Sequence, residues 1–239
     1  EEVSWVARDA GKLFPGMTVL AMNYRGYGQS HGVPAEIHMI DDGCTLFDWL
    51  AELGQVDASR IALVGRSLGS GVAVQVAKER PAHSVVLITP YDSILAIAKR
   101  RFRVMPIEYM LRHRFESIKY APSLKAPTYV LRAHDDDVVP HSHTDQLVEK
   151  LATLVGDDTV PGSDHMNIPY LEATQALIAS FLTRQFAKPA APPQLPAAAP
   201  VPAGQPKAQV DLGQELGPKP DVKTAQAAPA ADTMSAIAK

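Results

Sequence analysis

Cysteine is almost missing from this chain of 239 residues: Cys44 stands alone. That excludes an internal disulfide and any cysteine-cluster metal site. Cys44 is a poor nucleophile candidate too, because Asp42-Gly43-Cys44-Thr45-Leu46 falls on an expected helix, where packing is the expected role. No run of about 18 apolar residues occurs, so no segment reads as a membrane-spanning helix. Charge of one sign is also lacking. The net charge of −3 argues against a general nucleic-acid binder, because phosphate contacts want a basic surface. Residues 187–239 contain no aromatic side chain, yet they hold 10 of the 20 prolines. Such a segment buries too little apolar surface to offset the entropy of ordering, so a disordered tail is expected there. A tether or partner-binding segment is the sharper alternative. The chain opens on Glu1 rather than Met, which reads as a processed chain or a fragment.

The full chain, with 46% hydrophobic and 21% charged residues, has the composition of an ordinary globular protein, and residues 1–186 read as one domain. A helical stretch from about Val3 precedes the turn signal Phe14-Pro15-Gly16. Thr18–Asn23 reads as a buried strand. Glu36–Leu53 carries Ile37, Ile40, Leu46, Phe47 and Leu50 at helical spacing. Arg60–Val64, Ser84–Thr89 and Pro127–Ala133 read as further strands, and Asp158–Val160 as at best a short edge strand. Helices are expected at Ser67–Arg80, Ser142–Leu154 and Ile168–Phe186. Alternating apolar strands and helices imply an α/β fold, a mostly parallel sheet covered by helices on both faces. Ligands of such sheets lie beyond the carboxyl ends of the strands. Between the third and fourth strands, residues 91–122 form an insertion with two helix-like pieces, Ser93–Arg103 and Pro106–Arg114, expected as a small helical cap over the site.

The strongest chemical signal is Gly65-Arg66-Ser67-Leu68-Gly69, placed after an apolar strand and at a helix start. This is the strand–turn–helix setting of a nucleophile elbow. Glycines on either side of the serine relieve crowding in a sharp, strained turn. The turn lifts the Ser67 hydroxyl clear of the sheet and aims the Leu68 amide at a developing oxyanion. A serine hydroxyl is a weak nucleophile near neutral pH and needs a base oriented by a third group. In this arrangement the acid and then the histidine follow the serine along the chain. His134-Asp135-Asp136-Asp137-Val138-Val139-Pro140 supplies acids at a strand end, and Pro161-Gly162-Ser163-Asp164-His165 supplies the base before the last helix. Three adjacent carboxylates cannot all be buried. One therefore faces His165 and the others face water. A metal site built from His134, His141, His143 and the aspartates is the minor alternative to a solvated loop.

Asn23-Tyr24-Arg25-Gly26-Tyr27-Gly28-Gln29-Ser30-His31-Gly32 resembles the strand-end loop of α/β-hydrolases of the depalmitoylase-like and lysophospholipase-like branch. The resemblance continues through Gly65–Gly69, Arg112–Ser117, Asp136–Pro140 and Gly162–His165. It covers nearly all of residues 1–186 and none of the tail. It implies a serine hydrolase in which the acid lies four residues before the proline of its loop, here Asp136. It implies no metal and no organic cofactor. The Arg25 loop is expected to be structural. In these enzymes the second oxyanion donor comes from a Gly-rich loop after an earlier strand. No such loop occurs before Thr18, so that donor and the early strands are expected to lie outside this chain.

The cap carries seven basic residues, Lys99, Arg100, Arg101, Arg103, Arg112, Arg114 and Lys119, against Asp92, Glu108 and Glu116, a net of +4. This suits an anionic substrate or an anionic membrane surface; a solvated helix face is the bland reading. Ile94, Leu95, Ile97, Phe102, Met105, Ile107, Met110 and Leu111 are expected on the cap's underside. The function expected from the whole is hydrolysis of an ester or thioester of a small-molecule or acyl substrate. Ser67 is the nucleophile, His165 the base, Asp136 the orienting acid and Leu68 N–H one oxyanion donor. The rivals are an aminopeptidase-like hydrolase on the same triad and a non-catalytic binding protein that keeps the fold.

Overall fold

The computed structural model describes Gly11 and residues 14–187. The expected helix from about Val3 and the Ala/Pro-rich tail lie outside these residues, apart from Gly11 and Ala187. At Phe14-Pro15-Gly16 the chain turns as its composition suggests: the Met17 amide donates to the Phe14 carbonyl at 3.0 Å, and Gly16 has φ +76°.

Four strands form one fully parallel sheet in the order β1-β2-β3-β4: β1 Ala62–Arg66, β2 Ser84–Ile88, β3 Thr128–Asp135 and β4 Leu154–Asp164. Helix α1, Glu36–Glu52, precedes β1, and α2, Leu68–Glu79, follows it. The insertion holds α3, Ile94–Arg101, and two single turns, α4, Ile107–Met110, and α5, Ser117–Tyr120. Helix α6, His141–Val148, follows β3, and α7, Glu172–Phe186, closes the described chain.

Alternate strand residues face opposite sides of a sheet, and two helix layers use this. Val86 and Ile88 of β2, with Tyr129 and Leu131 of β3, pack against Ile178, Phe181 and Leu182 of α7. Val85, Leu87 and Val130 point the other way, onto Ala73, Val74 and Ala77 of α2 and Leu147 of α6. Every residue of β2 is buried, which accounts for its uninterrupted Ser-Val-Val-Leu-Ile run. A third cluster joins α1 to α2 and the cap through Met39, Cys44, Val72, Val76, Tyr91, Ile94, Ile97 and Phe115. Cys44 thus packs within a helix, and burial pushes its thiol pKa up.

Two expected helices are shorter than their sequence pattern suggests, Ser142–Leu154 ending at Val148 and Pro106–Arg114 reducing to the turn Ile107–Met110, and two strand expectations fail. Thr18–Asn23, expected as a buried strand, forms no strand and is partly exposed throughout. Among the described residues no strand lies beyond β1, so its apolar residues have no ladder to join; Val64 of β1 is likewise half-exposed. Asp158–Val160 is the middle of the long strand β4, not a short edge strand. Its polar residues belong there because their partners stand on β3. Arg132 holds Asp157 at 2.7 and 2.6 Å, and the Tyr129 hydroxyl donates to Asp158 at 2.6 Å. Gly156 faces the Tyr129 ring, where a Cβ would come within 2.7 Å.

Candidate active site

The carboxyl ends of β1, β3 and β4 deliver three side chains to one place. Ser67 follows β1 directly, Asp136 follows β3 and His165 follows β4. His165 Nε2 lies 2.9 Å from the Ser67 hydroxyl. Its Nδ1 lies 2.9 and 3.0 Å from the two oxygens of Asp136. His165 and Asp136 are both almost completely enclosed. Asp135 and Asp137 face solvent. The sequence left three acids in contention on residue pattern alone; the structure brings Asp136 to the histidine.

The turn at Ser67 is built as the flanking glycines suggest. Ser67 sits at φ +48°, ψ −119°, a conformation that costs a non-glycine residue about 1–3 kcal/mol. Neighbours hold it there: its amide donates to the Ile88 carbonyl at 2.9 Å, and its carbonyl accepts from the Ser70 amide at 2.8 Å. A Cβ on Gly65 would come within 2.3 Å of the Gly69 carbonyl oxygen, so only glycine fits this strand–helix crossing. Leu68 is the first residue of α2. By position its amide has no intrahelical acceptor, and it points outward at the positive end of the helix dipole.

The acid and the base are held by their own loops. One Asp136 oxygen accepts amides from Val138 at 3.0 Å and Val139 at 2.7 Å. The Ser163 hydroxyl accepts the His134 amide at 2.9 Å and donates to the Val160 carbonyl at 2.6 Å, tying the His165 loop to the end of β3. Asp164 and Asn167 close a local turn around His165: the Asn167 amide donates to Asp164 Oδ1 at 2.7 Å, and the Asp164 amide donates to Asn167 Oδ1 at 2.8 Å. Arg66, the variable residue of the elbow motif, donates to the His165 carbonyl at 2.6 Å. No sequence pattern distinguishes Arg66 or Ser163; their roles come from where β4 ends.

The three loop histidines go separate ways. His134 is exposed, His141 Nε2 lies 2.9 Å from the Ala133 carbonyl, and His143 Nδ1 lies 2.9 Å from a buried Asp92 oxygen. No group of three or more metal-binding side chains comes together among the described residues.

The Arg25 loop is structural here. Arg25 forms a two-pronged pair with Asp42 of α1 at 2.6 and 2.5 Å. Gly26, Gly28 and Gly32 all have positive φ. The Tyr24 hydroxyl reaches to within 3.1 Å of where a Gly69 Cβ would stand, and burial pushes its pKa up to about 12.

The cap is joined to the body by a residue that the sequence did not single out. Glu36, at the start of α1, accepts the Arg114 and Phe115 amides at 2.9 and 3.1 Å and the Gln75 side-chain amide at 3.1 Å. It thereby stabilises Phe115 at φ +40°. Of the residues expected on the cap's underside, Ile94, Ile97 and Ile107 are buried; Phe102, Met105 and Met110 are instead exposed. Ile94 and Ile97 meet α1 and α2 directly, which leaves the far end of the cap without a core to enter. Among the described residues no helix is long and apolar enough to cross a membrane.

Comparisons with known proteins point to the same fold. Residues 7–98 match the X-Pro dipeptidyl-peptidase (S15) family. An uncharacterised protein of Mycobacterium tuberculosis is 34% identical over 170 residues, 70% of this chain and 60% of the relative. An α/β hydrolase domain-containing protein of Caenorhabditis elegans is 30% identical over 67% of this chain and 48% of its own length. A lysophosphatidylserine lipase of Danio rerio is 29% identical over 58% of this chain and 40% of its own length. The chain therefore spans about two fifths to three fifths of these relatives. The solved monoacylglycerol lipase of Paleococcus ferrophilus shares the fold, with a TM-score of 0.56 at 19% identity over 77% of this chain and 89% of that one. From sheet, elbow and relatives together, the chain belongs to the α/β-hydrolase superfamily.

Proposed function

We propose that this protein is a serine hydrolase that cleaves carboxylic esters or thioesters of acyl substrates through an acyl-enzyme. The observation that carries the reading is the hydrogen-bonded series Ser67–His165–Asp136, with bonds of 2.9 Å on each side of the imidazole. His165 takes the Ser67 proton as the oxygen attacks the acyl carbon. It returns that proton to the leaving alcohol or thiol, and then activates water to release the acid. Asp136 holds the proton on Nδ1 and stabilises the imidazolium. The Leu68 amide faces the tetrahedral oxyanion. Similarity to a lysophosphatidylserine lipase supports an acyl ester as substrate, and the net positive cap supports an anionic one.

A second reading, an aminopeptidase-like hydrolase, is favoured by the S15 match over residues 7–98. The two share the nucleophile and differ in substrate. The test is a fluorophosphonate probe followed by intact mass and peptide mapping. One label at Ser67, lost in both Ser67→Ala and His165→Ala, is expected. Labelling at another serine, or undiminished labelling of His165→Ala, refutes the series. Turnover of p-nitrophenyl acyl esters over Xaa-Pro p-nitroanilides is then expected; the reverse preference selects the peptidase.

A further inference from the structure

We propose that the far end of the cap is a docking surface for an anionic lipid bilayer. Residues 99–106, Lys-Arg-Arg-Phe-Arg-Val-Met-Pro, are all exposed. Val104 is 96% and Tyr109 85% exposed, and Phe102, Met105 and Met110 are each about half-exposed. A cluster of this size on water adds nothing to folding and usually marks a contact surface.

Folding accounts for part of the charge. Lys99 pairs with Glu108, Arg100 donates to the Ser142 hydroxyl at 3.2 Å, and cations in the last turn of α3 suit the helix dipole. It does not account for Arg103, which lies past the helix end. Neither Arg101 nor Arg103 forms an ion pair with any described residue.

Cations and large apolar side chains alternate along one short exposed stretch, between an eight-residue helix and a single turn. A protein partner would have to match five unlike side chains in shape. A bilayer interface needs no such match: acyl chains accept Phe102, Val104, Met105 and Met110, the headgroup level accepts Tyr109, and anionic headgroups accept the guanidinium groups.

The experiment is vesicle flotation with the Ser67→Ala protein, so that the outcome is independent of hydrolysis and of the proposed chemistry. Binding is expected to vesicles containing 30% phosphatidylglycerol and not to pure phosphatidylcholine vesicles, and it should weaken as salt is raised. Each cation near such a surface contributes about fivefold to partitioning, so Arg101→Glu with Arg103→Glu should lower binding by at least about 25-fold. Val104→Asp with Tyr109→Asp should abolish it. All four positions are exposed, so thermal melting should be unchanged in both double variants. Absence of binding to the anionic vesicles, equal binding to neutral ones, or undiminished binding by either double variant overturns the proposal. Chemical crosslinking of the cap end to a second protein chain in place of lipid overturns it as well.

Discussion

The Val139 amide donates to Asp136 Oδ1, the same oxygen that lies 2.9 Å from His165 Nδ1. Val139 is itself buried in the cluster that joins α1, α2 and the cap. The carboxylate facing His165 is therefore fixed by core packing, not by a flexible loop.

That geometry gives the first prediction. In Asp136→Asn, the side-chain oxygen stays with the Val138 and Val139 amides, and the new NH2 faces His165 Nδ1. It donates there, so Nε2 must carry the imidazole proton and cannot accept one from Ser67. The rate of fluorophosphonate labelling should fall by about three to four orders of magnitude. Asp135→Asn and Asp137→Asn, which face water, should change it less than about threefold. A severe effect at Asp137 would reassign the acid.

Glu36 gives the second. Glu36→Ala leaves the Arg114 and Phe115 amides and the Gln75 side chain without their acceptor, and should cost about 2–3 kcal/mol. Glu36→Gln keeps an oxygen for the two amides, while Gln75 can turn its own oxygen toward the new NH2, so its cost should be nearer about 1 kcal/mol. Urea unfolding, with an unchanged slope, measures both. Equal losses would mean that Glu36 acts by its charge, not as an acceptor.

Cys44 gives the third. Burial raises its thiol pKa, which disfavours the reactive thiolate. Native protein should react with iodoacetamide at pH 8 far more slowly than protein in urea. Fast native alkylation would show that α1 opens locally.

The fourth concerns alkaline pH. Burial raises the pKa of Tyr24 to about 12 and raises those of Tyr27, Tyr91 and Tyr129 from the ordinary value of 10.0. A group with a raised folded pKa contributes stability that is complete below its unfolded pKa and is lost as pH climbs toward the folded one. Stability should therefore decline from about pH 10 upward. The tyrosinate absorbance of these residues should appear together with unfolding. Early, separate ionisation of these four tyrosines would contradict their burial.

The candidate site was legible because its signals are local. A serine between glycines after an apolar strand has few other uses, and a histidine just before the last helix has one neighbour to reach. What stayed hidden depends on partners far along the chain. Glu36 looks like an ordinary acid at a helix start, yet its acceptor role is set by amides 78 and 79 positions away. β4 was under-read because Gly156, Asp157, Asp158, Pro161 and Gly162 resemble a turn; only Tyr129 and Arg132 on β3 explain them. Thr18–Asn23 was over-read for the opposite reason. Its composition suits a strand, but a strand needs a hydrogen-bonded neighbour, and sequence pattern does not say whether one stands alongside.

Ser67 and His165 lie 98 positions apart, and Asp136 lies 29 before His165. No two of the three share a loop, so they meet only when β1 to β4 stand in register. During refolding, helical ellipticity from α1, α2 and α7 should therefore return first, since helices close locally and distant strand pairing is slow. Fluorophosphonate reactivity would recover last. A time course of probe uptake after dilution from urea would then serve as a clock for the final assembly step, one that neither ellipticity nor fluorescence provides.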